Sequence, residues 1–238
     1  MRISIVGTGR AGTSFAIALA RVGHEVTLVH HDELAGAQGA ELVLLAVPDD
    51  AIGEVAARMA PDPTRVVAHL AGSRGLGVLA SHPRVASLHP LAPLVSGERG
   101  AERLVGATFA VAGDHLVEEV AADLNGRVVR IADDQRTVYH AAAVVAANHL
   151  VALMGHVEEL ARAAGLALED FLPLARQALA DVAEVGPDAA LTGPASRGDV
   201  ATIDAHLAAM PESERSTYVA LANAAFELAE RRRTPKPA

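Results

Sequence analysis

A chain of 238 residues, 51% hydrophobic, with a formal charge of −9 and a pI near 5.6, can bury one large core or two small ones and is too apolar for a disordered chain. The acidic balance opposes nonspecific attraction to nucleic acid or to an anionic membrane, so neither is expected as a partner. The absence of cysteine excludes disulfides and thiolate chemistry, and the start MRISIVGTG lacks a charged region followed by a signal-type apolar stretch, so a cytoplasmic location is expected.

ISIVG at 3–7 is a short apolar run that opens into glycines, and AGTSFAIALARVG after it has helical apolar spacing. Further strands are expected at HEVTLV (24–29), ELVLLAV (41–47), RVVAHL (65–70), RVASLH (84–89), ATFAVAG (107–113) and RVVRI (127–131). Most are continuous apolar runs, which predicts strands covered on both faces. Helical segments at 50–60 and 114–125 separate several of them. The alternation predicts a doubly wound, Rossmann-like parallel sheet of the α/β class over 1–132.

After Ala132 the pattern changes. From Arg136 to Ala164 the spacing predicts one long, largely buried helix ending at Gly165, followed by helices at 169–184, 199–209 and 213–232. Residues 133–238 therefore form an α-helical domain, expected to bind substrate and to carry a homodimer contact. No run reaches the ~18 to 20 apolar residues that span a bilayer, because Asn148 and His149 interrupt the best candidate. Arginines 231–233 precede a Pro-containing end and read either as a solvated terminus or as a phosphate-binding patch. The only lysine is Lys236, so a mechanism that needs a lysine in the folded body is excluded.

Gly7, Gly9 and Gly12 satisfy G-x-G-x-x-G between a strand and a helix. The first permits the tight turn, the second lets a pyrophosphate approach, and the third lets the helix pack on the strand. Thr8, Arg10 and Ala11 complete this loop as cofactor-binding residues, with helix N-terminal amides facing the anion. A NAD site would place an acid at the end of the second strand. Here His30 and His31 stand there, with Asp32 slightly beyond. The missing acid and the cation of Arg10 favour NADP, with NAD as the alternative. His30 is accordingly a cofactor-binding candidate, and the alternative is that the two histidines are only polar residues at a strand end.

The succession GTGRAG, LLAVPDDAI, HLAGSRG, SLHPLAPL, FAVAGD, YHAAAVVAANHLVAL and LTGPASRGD resembles an uncharacterised group of bacterial Rossmann-like proteins with a helical C-terminal domain of unknown function. That group is similar to ketopantoate reductase, phosphogluconate dehydrogenase and deazaflavin-dependent NADP oxidoreductase. The resemblance covers nearly the whole chain. It implies NAD(P)-linked reduction of a small carbonyl compound, carboxylated as in the ketopantoate-reductase-like class, or oxidation of the matching alcohol. It implies Val47, Pro48 and Asp49 as cofactor-binding residues and Ser73 as a substrate contact. Two departures stand out. Residues 30–40 leave no room for the usual helix and further strand, so the strand at 24–29 is expected at or near a sheet edge. The lysine that ketopantoate reductase and phosphogluconate dehydrogenase use as a general acid or base is missing.

His140 and Asn148 are the candidate replacements. On a regular helix eight residues set them about 80° apart and two turns along, sharing a broad face. An imidazole with an intrinsic pKa near 6.5 suits proton transfer, and an amide can orient a substrate oxygen. The alternative is a packed helix whose polar groups are satisfied internally. His89, at a strand's C-terminal end where α/β sheets bind ligands, is a third catalytic candidate or a histidine packed beneath the loop after Pro90. In LTGPASRGD, Thr192, Arg197 and Asp199 are substrate candidates. Arg197 suits a carboxylate or, alternatively, a structural salt bridge, and Asp199 suits a helix N-cap. No metal site is expected: His149 and His156 share a helical face but have no third ligand nearby in sequence. A non-catalytic nucleotide- or metabolite-binding protein on a degenerate Rossmann scaffold is the other reading of the whole.

Overall fold

The structure, a computed structural model, describes residues 1–234; Lys236 lies outside the described residues. The chain divides into two compact units, Met1–Ala147 and a second from Asn148 onward. The expected boundary at 132/133 would part the segment 133–147 from the sheet, with which it forms one unit.

The first unit is built on seven strands: β1 (Arg2–Val6), β2 (Glu25–Val29), β3 (Leu42–Leu45), β4 (Val66–His69), β5 (Val85–Pro90), β6 (Thr108–Gly113) and β7 (Arg127–Arg130). They pair in the order β2-β1-β3-β4-β5-β6-β7. All ladders are parallel except β5–β6, where Ser87 faces Ala112 and His89 faces Ala110 in antiparallel register. The expectation of a parallel sheet is corrected at that one ladder. The chain reaches β6 after α3 (Glu98–Leu104), a helix that the sequence reading passed over.

Strand period explains the two cores. Leu42 and Leu44 of β3 pack with Ile3, Ile5, Phe15 and Phe109 on one face, and Val43 and Leu45 pack with Val6, Val67 and Leu79 on the other. Each fully buried leucine here contributes about 1.5–3 kcal/mol relative to exposure. The first face is covered by α1 (Arg10–Arg21), α3 and α4 (Leu116–Asp123), and the second by α2 (Ile52–Ala57). Helices α1 and α3 approach closely: a Cβ on Gly100 would lie 1.9 Å from Ser14 Oγ.

Between β2 and β3 the only helical element is a single 3-10 turn, Leu34–Ala37, and β2 is the edge of the sheet. The interval is as short as the sequence implies.

The helical segment begins with α5 (Arg136–Val144), passes through a π turn at Val145–His149, and continues as α6 (Leu150–Ala163). A π turn adds a residue to the turn, so the 80° relation drawn for a regular helix between His140 and Asn148 does not hold. The segment is also not largely buried. Only Arg136, His156 and Ala161 are buried in it, because a helix this long presents residues all round and only one stripe meets neighbours. Asp133–Ala163, with a mean hydropathy of 1.4 over its best window, is long and apolar enough by length and composition to cross a membrane. Asn148 and His149 do not prevent this.

The second unit comprises α6, α7 (Leu168–Val185), α8 (Pro187–Ala190), α9 (Gly193–Arg197), α10 (Val200–Ala209) and α11 (Glu212–Arg233). Helix α6 packs on α7 and α11, and α9 packs on α10 and α11.

Candidate functional site

The glycine loop has the geometry its spacing implies. Gly7 sits at φ +118°, and a Cβ there would lie 2.4 Å from the Ala46 carbonyl oxygen. A Cβ on Gly12 would lie 1.8 Å from the Gly7 carbonyl oxygen, whereas a Cβ on Gly9 would meet nothing within 4 Å. The first and third glycines are therefore demanded by the protein itself. The second leaves open space at the N-cap of α1, which has no side-chain cap. The first-turn amides of a helix have no intrahelical partner, so a pyrophosphate fits this cradle. Thr8, Gly9 and Arg10 are exposed around it and Ala11 is half-buried.

At the tip of β2, Asp32 is ringed by cation-capable groups. His30 Nδ1 lies 3.4 Å from one carboxylate oxygen, while His31 Nε2 at 3.6 Å and Arg58 Nη1 at 3.9 Å face the other. Arg58 ends α2, an element the sequence reading did not connect with β2. The 3-10 turn that replaces a full crossover leaves α2 as the neighbour of this strand end. Among the described residues His30, His31 and Asp32 are the one trio whose ligand atoms all lie within 4.8 Å of one another.

A second cluster lies where β4 and β5 end. Tyr139 Oη is 2.5 Å from His89 Nδ1, and the His140 ring stands 6.0 Å from the His89 ring. Both imidazoles crowd Gly72, where a Cβ would come within 2.7 Å of each. Burial, followed by the charge of His140, lowers the His89 pKa to about 4. Burial raises that of Tyr139 to about 12. At neutral pH His89 is thus uncharged and the tyrosine keeps its proton, so the hydroxyl can donate to Nδ1 of a ring protonated at Nε2. Beneath this pair, Arg136 is fully buried and bonds Ser87 Oγ and, at 2.9 Å, Asp133 Oδ1. Among the described residues its Nη1 has no hydrogen-bond partner, and neither ring nitrogen of the buried His69 has one. Burial, then the Arg136 charge, lowers His69 to about 4.

Asp49 and Ser73, assigned separately to cofactor and substrate, are joined by a hydrogen bond from Ser73 Oγ to Asp49 Oδ2 at 2.5 Å. Val47 is half-buried and Pro48 exposed just before them, after β3.

A family model described as a domain of unknown function, DUF2520, matches residues 107–225, half of the 238. The chain belongs to this family. A Rossmann-like domain model matches residues 29–93 of this DUF2520 chain, and a comparison with curated proteins finds no match. Three solved structures share the fold of this family member over nearly its full length. A proposed NADP oxidoreductase from Bacteroides fragilis is 23% identical with a TM-score of 0.79, covering 95% of this chain and 98% of its own. A reductive aminase from Aspergillus terreus, bound to NADPH and ethyl-5-oxohexanoate, is 16% identical with a TM-score of 0.68, at 96% and 97% coverage. Pyrroline carboxylate reductase from Plasmodium falciparum, with NADP bound, is 14% identical with a TM-score of 0.64, at 97% of each chain.

The other candidates of this DUF2520 chain lie in its second unit. Asn148 is exposed on the π turn and Thr192 is exposed at the N-cap of α9. Asp199 caps α10, accepting from Thr202 N at 3.1 Å and from Thr202 Oγ1 at 2.7 Å, so its carboxylate has a structural task as expected. His156 is bound by Glu214 through Nδ1 at 2.6 Å. Sequence reasoning missed Tyr139, Arg136 and Arg58. The signal for the first two was present: Arg136, Tyr139 and His140 share one face at i, i+3 and i+4.

Proposed function

We propose that the protein is an NADP-linked oxidoreductase that reduces a small carboxylated carbonyl compound, or the corresponding C=N compound. The open approach over Gly9 carries this reading, because it is the one glycine of the fingerprint that the fold itself does not require. The fold likeness to proteins solved with NADPH and NADP supports it, as does the Arg58 guanidinium beside the imidazoles of His30 and His31, a set of donors that suits a phosphate on the adenosine ribose. A nicotinamide held there supplies hydride when bound.

The chain's own residues then have to deliver a proton to the substrate heteroatom and hold it in place. His140 is the donor. His89, kept neutral by burial, accepts the Tyr139 hydroxyl and fixes the helix that carries His140. Ser73, which shares the first unit with His140, orients the substrate. The helical unit forms a homodimer contact through apolar side chains such as Val151 and Leu174, which are 73% and 68% exposed.

The deciding experiment is titration with NADPH followed by its fluorescence, then NADPH oxidation against a panel of 2-oxo acids and cyclic imino acids. Saturable binding with turnover supports the reading. Binding without turnover on any member favours a non-catalytic nucleotide- or metabolite-binding protein, a reading supported by the exposed β2 edge. Absence of binding overturns both the cofactor and the reaction.

A further inference from the structure

Within a chain of net charge −9, the helical unit holds a concentrated cationic concavity. Leu191, Ser196 and Arg197 around α9 and Ala229, Arg232 and Arg233 of α11 line a cleft of about 420 Å³. The fold gathers arginines from two distant stretches because α9 packs on α11, and Arg233 Nη2 donates to the Ser196 carbonyl at 3.4 Å.

The surrounding acids do not neutralise them. Arg231 pairs with Asp188 at 3.4 Å, but among the described residues Arg197, Arg232 and Arg233 form no ion pair. Asp199 is engaged by Thr202, accepting from its backbone N at 3.1 Å and from its Oγ1 at 2.7 Å. Cations in the last turn of a helix offset its dipole, which accounts for Arg197 at the end of α9 and for arginines at the end of α11. It does not account for three guanidinium groups facing one concavity, where they repel one another.

We propose that this cleft binds a small organic oxyanion carrying two or more negative charges, of the phosphate-ester or polycarboxylate kind. Guanidinium forks match both groups through paired, charge-assisted bonds, and Leu191 and Ala229 offer apolar surface to the carbon part of such a ligand. The inference does not rest on the hydride-transfer reading, because the cleft is built entirely within the helical unit.

The test is calorimetric titration of the full chain with inorganic pyrophosphate and, separately, citrate, at an ionic strength fixed with sodium chloride. Because pyrophosphate also suits the glycine loop, Gly9→Asp is titrated in parallel. The expected result is saturable binding of at least one probe that persists in Gly9→Asp. Affinity should fall roughly tenfold or more for each of Arg197, Arg232 and Arg233 changed to Gln, in variants whose helical circular dichroism is unchanged. An Arg232→Lys, Arg233→Lys double variant should recover part of the affinity by restoring charge without the fork. A response to pyrophosphate or to citrate alone supports the proposal and names the anion class. No saturable binding of either probe overturns it, as does binding that disappears in Gly9→Asp but survives in the glutamine variants.

Discussion

Tyr139 Oη and His89 Nδ1 lie 2.5 Å apart, and one turn earlier on α5 Arg136 donates to Ser87 Oγ. Ser87 and His89 are two apart on a strand, Arg136 and Tyr139 three apart on a helix, and the steps advance about 6.6 Å and about 4.5 Å along their elements. The two bonds form matched rungs that fix α5 against β5. His140 is set by this register, so His140→Ala should lower kcat by ~10² to 10⁴ with NADPH affinity nearly unchanged. Tyr139→Phe, which keeps the ring but loses the rung, should produce a smaller loss. Steady-state kinetics on the substrate found by the panel check both, and full turnover in both variants would remove the cluster from the chemistry.

Acid should weaken the fold through His69 and His89. Both have folded-state pKa values near 4 against 6.5 in the unfolded chain, so the unfolded state binds more protons between those values. Their contribution is complete above about pH 6.5 and is lost progressively as pH falls towards 4. Urea midpoints measured across that window should decline, and His69→Leu should flatten the decline. Tyr139 acts at the opposite end. Its value of about 12 against 10.0 means that stability drops as pH rises through that interval.

The three glycines should separate on mutation. Gly12→Ala places a Cβ 1.8 Å from a carbonyl oxygen and should destabilise the sheet unit severely. Gly9→Ala should leave the melting temperature nearly unchanged. Gly9→Asp should keep the fold and abolish NADPH binding by putting a carboxylate where the pyrophosphate would lie. Thermal melts beside fluorescence titrations distinguish these cases, and undiminished NADPH affinity in folded Gly9→Asp would relocate the nucleotide.

Asp32 competes with a ribose phosphate for the Arg58 guanidinium and the His30 and His31 ring nitrogens. Asp32→Asn should therefore tighten NADPH and weaken NADH, while Arg58→Gln should weaken NADPH by roughly tenfold with little effect on NADH. Dissociation constants for the two nucleotides decide this. An unchanged ratio in both variants would place the phosphate elsewhere.

A Val151→Glu, Leu174→Glu double variant should convert a dimer into a monomer in sedimentation velocity, since a charge in an apolar contact is costly to desolvate. A wild-type chain that sediments as a monomer at all concentrations would remove the dimer.

Much of the fold was legible because its signals are local. Seven apolar runs announced seven strands, although β2 and β7 proved largely exposed or half-buried, and the glycine spacing announced the first turn. What stayed hidden was set by relationships between distant residues. Nothing near Phe109 in sequence marks β6 as antiparallel, since direction follows from how the chain returns past α3. The π turn escaped because Val145–His149 has ordinary helical composition. Arg58 was invisible as a neighbour of Asp32 for the same reason: a deletion between β2 and β3 exposes a partner that belongs to the next crossover. Tyr139 was passed over beside His140, although its spacing from Arg136 carried the clue.

The position of β2 governs how the sheet breathes. One side of this strand is held by β1, with Gly7 N bound to the Val29 carbonyl at 2.8 Å, but its other side has no strand and Leu28 is 39% exposed. Amide hydrogen exchange along 24–37 should proceed by local opening at rates well above those of β3 and β4, whose residues are buried throughout. A dinucleotide bridging the glycine loop and the tip of β2 would stitch that margin to the interior. Its arrival would then be recorded as slowed exchange at residues it never touches.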